Sequence, residues 1–324
     1  MAGHRLEDVR PTALVLRSLG LGDFFTGLPA LRMLRDVLPG HRIVLAIGTQ
    51  LAPLALRAGT VDAVLRVGEL QPLDGAPVLP DIAVDLHGNG PASSQLLAGR
   101  RPRRLIAFAE GTARWSDEEY EPHRWCRLVA TAFGWAAGRY PSVFGALPVP
   151  DVAMPAGQTV LHCSAKSSAR EWPPQRFTEL ASRLRAAGHR VVVTAPAAHA
   201  ERAAAIAAGS GTAFAADLSL DQLLALVARA RLVVSGDTGV GHVASNYGTP
   251  SVLLFGPVAP AVWGPPPGLP RHQVVWHGDG RGDPHGMQLD PALARISVDE
   301  VETAADRALA AAVAPRRRAI GSVA

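Results

Sequence analysis

Asp237, Thr238, Gly239 and His242 stand close together in RLVVSGDTGVGHVASNYGTPSVLLFG, residues 231–256. Two apolar runs that read as strands, Leu232–Val234 and Ser251–Phe255, bracket them, and a short helix over Val240–Tyr247 starts beneath the loop. In a parallel α/β sheet such a loop lies at the carboxyl end of a strand, where ligands bind. A helix N-terminus offers unpaired N–H groups and partial positive charge to an anion. An Asp beside it suits the hydroxyls of a polyol, so the combination points to a sugar carrying phosphate. Asp-Thr-Gly also occurs in aspartic proteases, but those pair two such loops in an all-β setting, and this context is α/β. For His242 the competing reading is a buried helix histidine.

Two further loops could carry chemistry. His162-Cys163-Ser164-Ala165-Lys166-Ser167-Ser168-Ala169-Arg170-Glu171-Trp172-Pro173 joins a predicted strand to a predicted helix. Its hydroxyls, lysine and arginine suit a diphosphate, with Lys as a point charge and Arg as a planar fork. The P-loop pattern G-x-x-x-x-G-K-[ST] is absent, and a solvated polar loop is the competing reading. Lys166 is the only lysine in a chain whose Lys and Arg total 32, which sets this loop apart. The other loop, Arg17-Ser18-Leu19-Gly20-Leu21-Gly22-Asp23, begins like a dinucleotide fingerprint and fails it. Phe25 stands where the third glycine belongs, and the second strand ends Ala46-Ile47-Gly48 without the acidic residue. Hydride-transfer cofactors are therefore disfavoured. Asp23 is left at a helix start, either as an N-cap or as a general base for an attacking hydroxyl.

Arg100, Arg101, Arg103 and Arg104 form a basic patch, read as solvated surface or as contact with a phosphorylated acceptor or anionic membrane face. No aromatic interleaving accompanies them, which argues against nucleic acid. His272, His277, Asp279, Asp283 and His285 are scattered through a late loop at spacings that match no tight metal pattern.

The elements that must position these groups alternate between strand and helix. In the first half the apolar pattern predicts strands at Ala13–Arg17, Arg42–Ala46, Val61–Arg66, Ile82–Asp85 and Arg104–Phe108. Helices are predicted at Phe24–Val37, Leu51–Ala58, after the His87-Gly88-Asn89-Gly90 turn, and at Pro122–Gly134. The texture changes to Pro, Gly and small residues around Tyr140–Gly157, the best linker in the chain. A second alternation follows, with strands at Thr159–His162, Arg190–Thr194 and near Ala213, and helices at Pro174–Ala187, Ala197–Ala208 and Leu220–Arg229. Residues 257–271 and 278–290 read as loop, and Val298–Val313 as a closing amphipathic helix. The pattern predicts an α/β fold of two Rossmann-like, doubly wound domains, 1–150 and 151–314, with a disordered tail at 315–324. Ligands would enter a cleft between the strand carboxyl ends.

Composition agrees. A chain of 324 residues with 48% hydrophobic and 19% charged residues is globular, with room for two domains. The net charge of +4 fits an acidic substrate, nucleotide or membrane surface, although the Arg, Ala, Gly and Pro bias reads as GC-rich coding. Cys126 and Cys163 form no C-x-x-C pair or disulfide framework, which favours a reducing compartment. No apolar leader opens the sequence and no run reaches about 18 apolar residues. The expectation is a cytoplasmic protein, with peripheral contact at the inner membrane surface left open.

Taken in order, these motifs resemble glycosyltransferase family 9, the heptosyltransferase family. Leu14 to Leu31 follows L-x-L-R-x-x-x-x-G-D-x-x-x-x-x-P-A-L, and Asp85-Leu86-His87-Gly88-Asn89 looks like the family's next segment. Trp172-Pro173 after the basic loop, D-T-G-x-x-H, and G-T-P-x-x-x-L-F-G-P from Gly248 to Pro257 are the most specific matches. The similarity covers roughly residues 12–312. It implies a GT-B fold, an N-terminal acceptor domain, a C-terminal donor domain and an inverting, metal-independent transfer without cofactor. Asp23 falls on the family's proposed base. Ser164, Lys166, Ser167 and Arg170 fall in the donor-phosphate loop, and Asp237, Thr238, Gly239 and His242 on donor sugar and diphosphate contacts. Gly22, Asn89, Arg101 and Arg104 are the candidate acceptor contacts. One departure is the single hydroxyl before the lysine in Ser164-Ala165-Lys166, where many members carry two.

The implied donor is ADP-heptose or a related ADP-sugar, and the implied acceptor a glycan or lipopolysaccharide core. A lipid-linked or small secondary metabolite is the alternative acceptor. A non-catalytic nucleotide-sugar binding protein and an epimerase are the competing functions. A monomer is expected. The chemistry is coherent without the family: a base on the acceptor side and fixed cations on the leaving diphosphate remove the need for a metal.

Overall fold

The computed structural model describes residues 10–109, 113–136, 138–141 and 147–313. Residues 142–146 of the predicted linker and the predicted tail 315–324 lie outside the described residues. The chain divides into two compact units between Pro148 and Val149. The first contains β1 (Thr12–Leu16), α1 (Leu21–Val37), β2 (Arg42–Ile47), α2 (Ala52–Arg57), β3 (Ala63–Arg66), β4 (Ile82–Asp85), α3 (Pro91–Ala98), β5 (Arg104–Ile106) and α4 (Glu121–Phe133). The second begins with β6 (Thr159–His162), α5 (Pro174–Ala186), β7 (Val191–Ala195), α6 (Ala200–Ser210), β8 (Ala213–Ala216) and α7 (Leu220–Ala228). It continues with β9 (Leu232–Gly236), α8 (Gly239–Tyr247), β10 (Ser251–Phe255), α9 (Pro260–Trp263), β11 (His272–Trp276), α10 (Pro291–Arg295) and α11 (Val298–Val313).

Local chemistry sets many of the helix ends. Proline, whose fixed φ and missing N–H suit a first turn, opens α3, α5, α9 and α10. Gly134, Gly211 and Gly248 close α4, α6 and α8 in the left-handed conformation, with φ of +69°, +64° and +67°.

Strand–helix alternation leaves parallel pairing as the outcome, and every pairing among the described residues is parallel. The first sheet runs β3-β2-β1-β4-β5 and the second β11-β10-β9-β6-β7-β8. Both orders reverse direction once, between β1 and β4 and between β6 and β9. At such a switch point the two flanking loops leave in opposite directions and open a crevice at the carboxyl edge. Both sheets are doubly wound, so the fold class is α/β as predicted. In the second unit one face packs Leu161, Val193, Val234 and Leu254 against Phe177, Leu180 and Ile206, and α11 adds Val301, Ala305 and Ala308. In the first, Leu14, Leu16, Val44, Ala46, Ala83 and Leu97 form one cluster, and α1 packs on α4.

Three predicted boundaries need correction. Helix α1 starts at Leu21 rather than Phe24, so Asp23 lies inside its first turn. Strand β5 stops at Ile106, two residues short. His272 belongs to a strand: HQVVW pairs in register with Ser251–Phe255 and closes the edge of the sheet. That run of five is too short to show a period by itself, and pairing with β10 decides it.

Candidate functional site

In the first unit the switch point is flanked by the loops after β1 and β4. Arg17, just beyond β1, is only 2% exposed. Its Nε donates to the Asp23 carbonyl at 2.5 Å, its Nη2 to Thr26 Oγ1 at 2.9 Å, and its Nη1 to the Leu86 carbonyl. The guanidinium lies 4.8 Å from the Trp125 ring centroid and 3.8 Å from Glu121 Oε1. Asp23 is the third residue of α1, and its Oδ2 accepts the Gly20 N–H at 3.1 Å. The carboxylate thus caps the helix with one oxygen, as half of a capping box. Oδ1 accepts no hydrogen bond among the described residues. The cap and base readings are compatible in this geometry.

Asp85 at the end of β4 is buried, and accepts from Ser93 Oγ at 2.7 Å and from the His87 N–H at 3.0 Å. Burial pushes its carboxyl up. Burial and the charge of Arg17 push the His87 imidazole down, while Glu69 and Asp23 oppose them. Asn89 is exposed in the same loop, and Gly22 is half-exposed in α1.

Arg101 and Arg104 do not join this group. Arg104 pairs with Ile82, the first residue of β4, so it lies at the amino edge of the parallel sheet, away from Asp23. Its guanidinium caps the Ala132 carbonyl and lies over the Phe133 ring. Arg101 is exposed, with φ of +55°, in the turn that leads into that edge. Parallel strands put their starts and their ends on opposite edges, which separates these arginines from the loops after β1 and β4.

In the second unit the loops after β6 and β9 flank the switch point and touch. Arg170 Nη1 lies 3.3 Å from both the carboxylate and the carbonyl of Asp237, and its Nε donates to Ser167 Oγ at 3.4 Å. Ser167 Oγ donates to the Pro284 carbonyl at 2.6 Å, and the Ala169 N–H to the Gly286 carbonyl at 3.1 Å. Residues 284 and 286, to which sequence reasoning assigned no such role, therefore back the loop after β6. Gly236 permits the close approach of β9: a Cβ there would lie 2.9 Å from the Arg170 carbonyl oxygen. Trp172 anchors the far end of the loop, donating to the Ile296 carbonyl at 3.1 Å from a fully buried position.

Glu171, also missed, ties the loop to α6 through Arg202 at 2.6 Å and accepts the Ala165 N–H at 3.4 Å. Ser164 is buried, 3.4 Å from His162 Nε2, and Lys166 stands exposed on the loop. Burial holds the His162 imidazole down to about 4, so it is neutral near pH 7. Asp237 is 9% exposed, and His242 is half-exposed in the first turn of α8. Thr238 caps α8 with extended backbone, yet its hydroxyl oxygen is buried and has no partner among the described residues. A buried hydroxyl normally finds a hydrogen bond. The orphan lies at the N-terminus of a nine-residue helix, and the preceding Asp237 is bonded to Arg170, an arrangement that can accept an anion.

The late-loop His and Asp residues are used separately. His272 lies on Ser251, His277 on Glu300, Asp279 on the Arg281 N–H and Asp283 on the His285 N–H. Among the described residues no group of three His, Cys, Asp or Glu side chains could hold a metal ion.

The model of "Glycosyltransferase family 9 (heptosyltransferase)" matches residues 149–281, the segment that holds the Lys166 loop and the Asp237 loop. Residues 149–281 are thus similar to the domain of that family. Lipopolysaccharide heptosyltransferase 2 of Escherichia coli K12 is 33% identical over 99 residues, covering 28% of this chain and 28% of that protein. Lipopolysaccharide heptosyltransferase 1 of Pseudomonas aeruginosa is 38% identical over 97 residues, covering 29% and 27%. These matches span somewhat over a quarter of each relative. The fold likeness extends further. The structure of E. coli ADP-heptose lps heptosyltransferase II aligns with a TM-score of 0.75 at 20% identity, covering 92% of this chain and 98% of that one. A family 9 glycosyl transferase of Veillonella parvula aligns with a TM-score of 0.76 at 17% identity, covering 93% and 97%. The chain therefore shares the GT-B type of fold with these structures.

Proposed function

We propose that this protein transfers a heptose, or a closely related sugar, from an ADP-sugar to a hydroxyl of a lipopolysaccharide core or similar glycan. The orphaned Thr238 hydroxyl at the α8 N-terminus, beside the Arg170–Asp237 pair in a family 9 domain, carries this reading. A donor diphosphate would accept from Thr238, from the first N–H groups of α8, and from Lys166 and Arg170. Asp237 and His242 would take sugar hydroxyls. Structures of E. coli heptosyltransferase WaaC, similar in fold, hold ADP and ADP-2-deoxy-2-fluoro heptose, which supports ADP as the leaving group.

Asp23 is the proposed general base. Its Oδ1 takes the proton of the acceptor hydroxyl as that oxygen attacks the anomeric carbon, and the C–O bond to ADP breaks on the opposite face, inverting the centre. Negative charge grows on the departing diphosphate, and fixed donors stabilise it without reorganisation. The reaction so written needs no metal. Gly22 and Asn89 remain the proposed acceptor contacts. Arg101 and Arg104, at the opposite edge of their sheet, are not included.

The test is ADP release from ADP-heptose in EDTA with heptose-deficient lipopolysaccharide as acceptor, with the product's anomeric configuration read by NMR. Acceptor-dependent release with inversion is expected, Asp23→Asn nearly abolishing turnover while ADP still binds. Lys166→Ala should weaken both binding and rate. ADP binding without turnover would favour a silent binding module, and a rearranged donor without acceptor would favour epimerisation. Either result overturns the proposal.

A further inference from the structure

We infer that Arg17 is the positioning residue of the acceptor half of the site, fastening the loop of Asp23 to the loop of His87 and Asn89, with Gly27 keeping its path open. The inference rests on the reading of Asp23 as the base. A guanidinium enclosed by protein must repay its lost hydration with well-aimed hydrogen bonds. Those of Arg17 converge on backbone from the first turn of α1 and from the loop after β4: Nε holds the Asp23 carbonyl at 2.5 Å, and Nη1 holds the Leu86 carbonyl, one residue before His87. Nη2 bonds Thr26 Oγ1 at 2.9 Å, and Thr26 donates in turn to the same Asp23 carbonyl at 3.1 Å. Asp23 is thus gripped through its backbone by two donors while its carboxylate turns back to Gly20. The spacing between the two loops that flank the switch point is set by one rigid, planar group. Lysine, a point charge on a flexible stem, cannot hold both carbonyls at once.

Gly27 supplies independent support. It lies in the middle of the 17-residue helix α1, where glycine weakens a helix relative to alanine. A Cβ at this position would stand 2.4 Å from Arg17 Nε and 2.5 Å from its Cδ. A weak helix former therefore stands where the guanidinium passes on its way to Asp23. Below the fork, Glu121 and the Trp125 ring form the floor: Trp125 Nε1 donates to Glu121 Oε1 at 2.6 Å, and Arg124 pairs with the other oxygen. The Trp125 ring and Glu121 thus lie beside the guanidinium, while its N–H groups, in the plane of the fork, serve Asp23, Thr26 and Leu86.

The variants are Arg17→Lys and Gly27→Ala, compared with Asp23→Asn. Gly27→Ala leaves every ionisable group in place and adds a better helix former, so it keeps the test open should Arg17→Lys fold poorly. The readouts are kcat and acceptor KM with ADP-heptose and heptose-deficient lipopolysaccharide, ADP affinity by calorimetry, thermal midpoint, and amide exchange at residues 19–25 and 86–89. A misplacement of about 1 Å costs on the order of 100-fold in rate. Both variants should lose roughly that factor in kcat, with acceptor KM and ADP affinity within about threefold of wild type. Exchange should rise in both loops together. Folded variants with unchanged kcat, or a rate loss that only tracks a lowered folded fraction, would overturn the inference while the proposed function stands. An Asp23→Asn enzyme that turns over normally, or a wild-type protein without turnover, would remove the base and this inference with it.

Discussion

Thr238→Val separates stability from binding. The Thr238 hydroxyl oxygen is buried without a partner among the described residues, and such burial costs about 1–3 kcal/mol by protein mutational data. Valine keeps the branched shape, and the φ of −145° and ψ of 166° are extended backbone that a β-branched residue favours. Without ligand, the variant should therefore be more stable by about 1 kcal/mol, a rise of about 2–4 °C for a unit of this size. With ligand the sign reverses. A hydrogen bond to a charged oxygen contributes about 1.5–3 kcal/mol, so the Kd for ADP should rise about 10- to 150-fold. Calorimetric titration with ADP and thermal unfolding of the free protein measure the two effects. A less stable variant that binds ADP as tightly as wild type would show that the hydroxyl serves the fold and that no phosphate reaches it.

Three other outcomes follow from contacts in the second unit. Gly241→Ala would place a Cβ 2.8 Å from Leu253 Cδ2; overpacking of about 1–3 kcal/mol should outweigh a helix gain of about 1 kcal/mol. Urea unfolding should show net destabilisation, with weakened ADP binding as the α8 N-terminus shifts; a stabilised variant would show that the helix can move away freely. Glu171→Gln removes the charge that ties the phosphate loop to Arg202, and should weaken ADP several-fold by calorimetry while leaving secondary structure by circular dichroism intact; unchanged affinity would make that tie irrelevant to the loop.

The third concerns pH. Burial holds His162 and His272 down to about 4, below their unfolded value of about 6.5. Between those limits the unfolded chain takes up protons that the native state refuses. Stability should fall as pH drops from about 6.5 to 4, by at most about 1.4 kcal/mol per pH unit for each histidine. His272→Asn should flatten the urea midpoint against pH in that window; an unaltered slope would mean His272 is protonated in the native state.

Loop chemistry was legible in the sequence because the groups involved are confined to a few residues. The Ser167–Arg170 segment and the Asp237–His242 segment each follow an apolar run and precede a helix, so their place at a carboxyl edge followed from pattern alone. Arg17 was visible as the start of a failed dinucleotide motif and as the arginine of L-x-L-R, and nothing local marks an arginine that will be enclosed. Glu171 and residues 284–286 were hidden for the same reason: their partners lie on α6 or more than a hundred positions away in the chain. The basic run 100–104 differs: proximity in sequence offered either solvated surface or a ligand patch, and the strand order put Arg104 at the amino edge of its sheet.

Strand–helix alternation, the glycine and proline signals at helix ends, and the residue types of the three loops were determined by sequence, because each depends on neighbours within a few positions. Tertiary structure decided which loops meet. The order of strands in each sheet selects one pair of carboxyl ends to flank the crevice, and that order rests on long-range pairing. It also decided that HQVVW is a strand, that the Arg17 guanidinium is enclosed, and that the Thr238 hydroxyl is left without a partner among the described residues. Burial and hydrogen-bond satisfaction are properties of surroundings assembled from distant segments, and no stretch of sequence contains them.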